Sequence, residues 1–504
     1  MPMSWEKDLE IKVSAQEEPK KVPSELELRI RNFRSIRDAR FRLRPGLNVL
    51  VGPNGSGKTN ILCALKFIRD ILTSGVALAM GKAGGAPKNY YRGSHEITIE
   101  IGGHYDHCRF RGSTVPIKFI WTTVIAQSRP EQIASITRER FRLIATTEVG
   151  YPKTILDCII QRPFGRKPHT RTSLLHESIL GKDLFKRLDG KPYSGSKAEL
   201  FKQVRSQLAK LLRESKKSSN FFFLPSLIEM HPRVFELGRQ LSLLHEYNIQ
   251  PEAARKSTDQ VPEARMEADG SGLSEVVHAL LQDEWHRIAH RTFYYDPSES
   301  YYFRTHIYLR PRHGLEFSDW NRHFLYYRRK GKEQFREALP NIVEHLTTAV
   351  NSVESVTTQN DPTNGRRFVV FHAGNNKFLP DEVSDGTIKW LCLLVSLFVP
   401  FSRTYLLEEP ENFMHPWMQQ RLVQIMREQA IKEKLMFIVS THSSTILNTV
   451  QPQELLLINY SKRSTHVSSF EDTEEVEQFL SKSHFGLGDL WVSGGIGAVP
   501  RGRT

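Results

Sequence analysis

The sequence predicts an α/β fold: a head split into two halves, with an antiparallel sheet appended to the first half and a mainly helical module inserted between them. Three observations predict it. Order should open at Glu25 with two alternating apolar runs, LELRIRNF and LNVLVG. A glycine-rich loop follows, then helical apolar spacing at Ile61, Leu62, Leu65, Ile68, Ile71 and Leu72. The α/β pattern returns beyond residue 365 in RFVVF, TYLLEE, LMFIVST and ELLLINY. Between the two halves the character changes, to short β-type runs up to about 160 and then to a basic, helical stretch.

The expected units follow. Residues 1–24 are polar and charged and read as a flexible tail. Residues 25–160 form the first lobe, whose runs EITIEI, CRFR, VPIKFIWTTVIA, RFRLIATTEV and TILDCIIQR suit an antiparallel sheet. Residues 161–364 form the inserted module, and residues 365–504 the second lobe.

Composition sets the outer bounds. The 504 residues are 39% hydrophobic and 25% charged, which excludes a wholly disordered chain, a collagen and a disulfide scaffold. Lys and Arg number 70 against 56 Asp and Glu, a net charge of +14 that favours polyanionic partners. The apolar run from Trp390 to Phe401 falls short of the roughly 20 residues a bilayer span needs. The opening MPMSWEKDLE has no apolar core of a secretory signal. Cys63, Cys108, Cys158 and Cys392 form no CxxC pair, and Cys63 and Cys392 fall in apolar helical patterns as buried free thiols. A cytoplasmic protein with no membrane partner is the expectation.

Four motifs carry chemistry. Gly52-Pro53-Asn54-Gly55-Ser56-Gly57-Lys58-Thr59 fits G-x-x-x-x-G-K-[ST] between a strand and a helix. Its glycines let backbone N–H groups wrap phosphate oxygens at the positive end of a helix. Lys58 would neutralise the β- and γ-phosphates of ATP, and the Thr59 hydroxyl would ligate Mg²⁺. Next, TYLL-Glu408-Glu409-Pro-Glu411 ends an apolar strand in paired carboxylates. Glu408 would hold the metal and Glu409 would act as general base. Third, FIV-Ser440-Thr441-His442-Ser443 places a histidine where it could contact a γ-phosphate or serve as a cap. Fourth, Ser384-Asp385-Gly386-Thr387 opens a long apolar helix, where Ser384 and Gly386 could meet an anion or simply cap the helix.

Together these residues resemble the ABC-type P-loop ATPase heads of the SMC, RecF and OLD group. The opening LRIRNFRSI, Asn60 after GKT, the SDGT signature, EEPENFMHP and STHSS all carry the likeness. In detail the chain is similar to the OLD-related ATPases labelled AAA-type, through ALKFIRDIL, DGSGLSEVVHALL and FGLGDLWVSGGIG. The resemblance covers about 25–125 and 250–497. It implies a homodimer, or a higher homo-oligomer, that sandwiches two ATP molecules between the phosphate loop of one subunit and the Ser384 signature of the other. Asn412 to Pro416 would be the D-loop, Arg34 a basic residue near the nucleotide, and His442 the γ-phosphate sensor. Two departures stand out: Glu408 replaces a common Asp, and the SGGQ form of the signature is missing. Gln127 is a candidate Q-loop residue.

The biology that the resemblance implies is the sensor or scaffold ATPase of an anti-phage system, similar to the Septu-type subunit that works with a separate nuclease or toxin. A RecF-like repair ATPase binding DNA directly is the alternative, and a transporter ATPase fits least. With 62 residues after His442, no Toprim nuclease is expected. Basic residues at Arg162, Arg166, Lys167, Arg171, Lys202, Arg205, Lys210, Arg213, Lys216, Lys217, Arg328, Arg329 and Lys332 would contact nucleic acid or dock a partner protein. His104-Tyr-Asp-His107-Cys108 reads as a turn between strands, and His286 with His290 as structural.

Overall fold

Parallel strands buried on both faces need apolar side chains at consecutive positions, and VLV, YLL, FIV and LLI supply them at the centre of the head. The computed structural model describes residues 25–110, 113–129, 133–146, 152–164, 169–174, 206, 241, 244–284, 287–288, 335–399, 402–433, 435–470, 472–483 and 485–496. The tail at 1–24, most of 175–240 and 289–334 lie outside the described residues. So do the basic residues expected at Arg166, Lys167, Lys202 to Lys217 and Arg328 to Lys332, and both His286 and His290.

The core sheet runs β16 (Ser464–Ser468), β15 (Leu455–Ser461), β3 (Gly46–Val51), β14 (Met436–Thr441), β13 (Thr404–Glu408) and β9 (Leu244–Tyr247). All neighbours are parallel except the β15–β16 hairpin. Alternation along β3 sends Leu50 into one core and Leu47, Val49 and Val51 into the other. The first core is closed by α1 (Lys58–Ser74) and by a seven-stranded antiparallel sheet of order β2-β1-β4-β5-β6-β7-β8. Its strands are β1 (Leu26–Phe33), β2 (Ile36–Leu43), β4 (Glu96–Phe110), β5 (Ser113–Ala126), β6 (Ser135–Thr146), β7 (Pro152–Gln161) and β8 (His169–Leu174). Short helices α2 (Val76–Lys82) and α3 (Ala86–Asn89) lead from α1 into it.

The second core is covered by α4 (Pro251–Arg255), α5 (Leu273–Leu281), a helical stretch at 335–349, α6 (Asp385–Phe398), α7 (Pro416–Glu433) and α8 (Ser444–Leu447). A small antiparallel sheet of β10 (Ser355–Asn360), β11 (Arg367–Ala373) and β12 (Asn376–Phe378) packs on α5. The chain closes with α9 (Thr473–Ser483) and α10 (Leu487–Val492).

The expected 161–364 module is therefore not wholly separate from the head. Leu244–Tyr247 is the edge strand of the core sheet, α4 and α5 pack on α6, and β8 extends the antiparallel sheet. A four-residue strand is too short to show a period, and its partner comes only at Thr404–Glu408. Residues 104–108 are strand rather than turn: they lie inside β4, at a shift of register between Tyr105 and Cys108. Arg162 is buried at the end of β7, so it offers no surface to a polyanion, and Arg171 lies on β8. Cys158 and Cys392 are buried and in no disulfide, whereas Cys63 is only half-buried. Among the described residues no helix is long and apolar enough to cross a membrane.

The second core carries a buried charge network. Glu275 on α5, 1% exposed, accepts hydrogen bonds from Arg367 (2.6 Å) and Arg287. Removing one partner of such a set strands the remaining charges away from water. Glu275→Ala should lower unfolding free energy by about 3–5 kcal/mol, read as a lower urea midpoint at unchanged slope.

Candidate nucleotide-binding site

Parallel register brings three strand ends together. Val51 pairs with Thr441 and Ser440 with Glu408, so the glycine loop, the Ser440–His442 turn and the two carboxylates emerge side by side at the carboxyl edge of the sheet. That edge is where open α/β sheets place their ligands.

The loop is shaped by contacts that only glycine allows. Gly55 and Gly57 take φ +76° and +104°. A Cβ on Gly52 would stand 2.1 Å from the Ile458 carbonyl oxygen, and one on Gly57 would stand 2.1 Å from Thr465 Oγ1. Thr465 Oγ1 donates to the Ser56 carbonyl (3.0 Å) and meets Ser35 Oγ at 2.7 Å, while Asn60 Nδ2 donates to Ser35 Oγ at 2.7 Å. Hairpin β15–β16 and turn β1–β2 thus brace the loop from outside. The Ser56 hydroxyl is buried without a hydrogen-bond partner, an orphan that a phosphate oxygen would satisfy.

Lys58 opens α1. Its buried ammonium donates to the carbonyls of Gly52 (2.8 Å) and Pro53 (3.1 Å). Burial holds Lys58 below the usual lysine range, against the pull of Glu409, Glu411 and Glu408. The Thr59 hydroxyl donates to Glu408 Oε1 at 2.8 Å. This hydroxyl–carboxylate pair is an oxygen donor set suited to Mg²⁺, which is usually held by one or two protein ligands plus phosphate oxygens. Among the described residues no cluster of three or more His, Cys, Asp or Glu occurs.

Glu409 takes a left-handed φ of +44°, unusual outside glycine, and its N–H donates to the Ser440 carbonyl at 2.9 Å. Asn412 Nδ2 donates to Glu409 Oε2 at 3.2 Å, and His442 Nε2 lies 3.6 Å from Glu409 Oε1. Burial and the nearby Lys58 charge lower the His442 pKa more than Glu409 and Glu411 raise it, favouring neutral imidazole. Glu411 Oε1 accepts from Thr441 Oγ1 (2.7 Å) and from the His442 N–H (2.8 Å), fixing the histidine turn.

Ser384 is the N-cap of α6, its hydroxyl accepting from the Thr387 N–H at 3.1 Å. Gly386 packs on the backbone of Phe413, whose carbonyl oxygen would lie 2.4 Å from an added Cβ. Arg255 on α4 grips this turn, donating to Pro380 O (2.9 Å), Val383 O (2.8 Å) and Asp385 Oδ1 (2.5 Å). Arg34, at φ +48°, donates to Asn89 Oδ1 and Ala83 O. It lines an open cavity of about 470 Å³ beside Asn60, with Tyr91, Arg92, Tyr460 and Arg463. Gln127 lies just past β5, its N–H bonded to His95 O.

Two family profiles match the chain. One, described as "AAA domain", covers residues 27–248, and one described as "AAA domain, putative AbiEii toxin, Type IV TA system" covers 278–448. Both halves of the chain are thus similar to AAA-family P-loop ATPases. Its curated relatives include the "DNA replication and repair protein RecF" of Magnetococcus marinus, 53% identical over 41 residues, and that of Erwinia tasmaniensis, 58% over 38 residues. The chain spans only 11% and 10% of those two relatives, and each match covers 8% of its own length. Among solved structures, the Smc head bound to the C-winged helix domain of ScpA aligns at TM-score 0.43 and 12% identity, covering 91% of this chain and 100% of that one. The SMC head domain from Thermotoga maritima aligns at TM-score 0.31 and 10% identity, covering 90% and 100%.

Several residues of the candidate site were not foreseen from the sequence: Ser35, Thr465, Arg255, Lys389 and the bracing role of Glu411. Ser56 and Thr465 are 409 positions apart, and no periodicity or motif links them. Lys389 sits inside an apolar helix, 3% exposed, where burial pushes its pKa down to about 8 against Glu411, Glu409 and Cys392. Burial already disfavours the charged form of Lys58, so replacing the ammonium with an apolar chain of similar length in Lys58→Met should leave the melting temperature of the free protein unchanged or higher. Where Mg²⁺–ATP raises the melting temperature of wild type, the same variant should abolish that rise.

Proposed function

We propose that this chain binds Mg²⁺–ATP at the Gly52–Thr59 loop and hydrolyses it, working as one half of a nucleotide-sandwiching homodimer. The observation that carries the reading is the convergence of loop, paired carboxylates and histidine on three adjacent strand ends. The orphaned Ser56 hydroxyl and the loop N–H groups would take phosphate oxygens, and Lys58 would exchange two carbonyls for the phosphates. Thr59 and Glu408 would hold Mg²⁺, which when bound shields the phosphate charge. Glu409 would accept the proton of the attacking water, with Asn412 holding its second oxygen. Neutral His442 would offer one ring nitrogen to the γ-phosphate, on a turn that Glu411 keeps rigid. The cavity beside Arg34 would receive base and ribose. Ser384 and Gly386 would face the partner's γ-phosphate, with Arg255 neutralising the Asp385 carboxylate between them.

At the level of biology, we read the ATPase as the cytoplasmic sensor subunit of a defence complex that controls a separate nuclease or toxin effector. The family description naming a toxin–antitoxin system supports it. The short RecF matches favour the second reading, a repair-type ATPase that meets DNA directly. Steady-state ATP turnover with and without linear duplex DNA, at one near-physiological salt, separates them: stimulation supports the second, indifference the first.

Glu409→Gln should bind ATP normally, turn over at least about 100-fold more slowly, and accumulate an ATP-dependent dimer in light scattering. Turnover within twofold of wild type would remove Glu409 as the base.

A further inference from the structure

Lys389 is a buried cation with no place in the proposed chemistry. It lies on α6, one turn beyond Gly386, and its ammonium donates to the carbonyl oxygen of Glu409 at 3.1 Å. It also stands 5.8 Å from the centre of the Phe413 ring, within cation–π reach. Both residues it touches have left-handed backbone, Glu409 at φ +44° and Phe413 at +68°. Such conformations persist only when surrounding contacts hold them. The turn 409–414 has three further backbone bonds: Glu409 N–H to Ser440 O, Asn412 N–H to Glu409 O and Met414 N–H to Glu411 O. Among the described residues, Lys389 is the side chain of α6 that reaches the Glu409 carbonyl.

We propose that Lys389 is a positioning residue: it holds the Glu409 peptide in the conformation that aims the carboxylate, and it locks that turn to the helix whose first residues carry the Ser384–Gly386 signature. The signature helix and the turn holding the base then move as one body, because Gly386 packs on Phe413 at one point and Lys389 grips Glu409 at another. A shift of the signature against the partner's nucleotide would be felt at the chain's own Glu409. An apolar side chain of similar length would fill the same space without making either contact.

This inference rests on Glu409 being the base, so its test includes a reading independent of hydrolysis. Full-length wild type, Lys389→Met, Lys389→Arg and Glu409→Gln would be compared for kcat, KM, affinity for a fluorescent ATP analogue, melting temperature and amide hydrogen exchange. Lys389→Met should lose at least about tenfold in kcat with affinity within about threefold of wild type, and Lys389→Arg should recover part of the loss. Amides 409–414 of Lys389→Met should exchange at least about tenfold faster while those of α7 do not change. Unchanged exchange at 409–414 overturns the proposal whether or not the chain hydrolyses ATP. So does a parallel fall of affinity and kcat that Arg fails to rescue, which marks a merely structural lysine. If no protein turns over, including wild type, the hydrolysis reading fails, and the exchange data alone decide the positioning role.

Discussion

Hydrogen-bond register between β3, β14 and β13 is the constraint on which the site depends. A parallel ladder fixes which residues stand level, and a slip of one residue would send every side chain to the opposite face. With Val51 level with Thr441 and Ser440 level with Glu408, the loop, the histidine turn and the carboxylates must emerge within reach of each other. The bond between Thr59 Oγ1 and Glu408 Oε1 is the direct consequence, joining residues 349 positions apart. Apolar cores on both faces of the sheet hold that register, since any slip would place Asn48 and Ser440 where Val49 and Val439 now pack.

Around that edge, the loop is enclosed rather than free. Ile458, Ser35 and Thr465 come from elements remote in sequence and close on Gly52, Ser56 and Gly57. The antiparallel sheet and the β15–β16 hairpin therefore support the loop as well as closing the first core. A phosphate would meet donors already aimed, which limits the ordering that binding has to impose.

Buried cations form the second theme. Lys58 and Lys389 are both held below the usual lysine range by burial, Lys58 at the start of α1 and Lys389 near the start of α6. Arg255 binds the signature turn through a carboxylate and two carbonyls. Carbonyl oxygens, more than counter-ions, satisfy these charges. The site's own carboxylates, Glu408 and Glu409, bond instead to Thr59 and Asn412.

The motifs that meet at the candidate site were legible in the sequence. A glycine loop between strand and helix, paired carboxylates at the end of an apolar strand, and a histidine after another are each written in fewer than ten consecutive residues, because backbone conformation and side-chain type there are set locally. The appended antiparallel sheet was readable for the same reason, through its period of two. Tertiary structure alone decided the rest. It recruited Leu244–Tyr247 and α4–α5 into the head, turned residues 104–108 into strand, and half-exposed Cys63 on α1. It also placed Thr465 under Gly57, and Arg255 and Lys389 on the turns they hold. A short strand, a lone lysine in an apolar helix or a threonine in a hairpin has no local signature, since its role comes from a partner that only folding brings near.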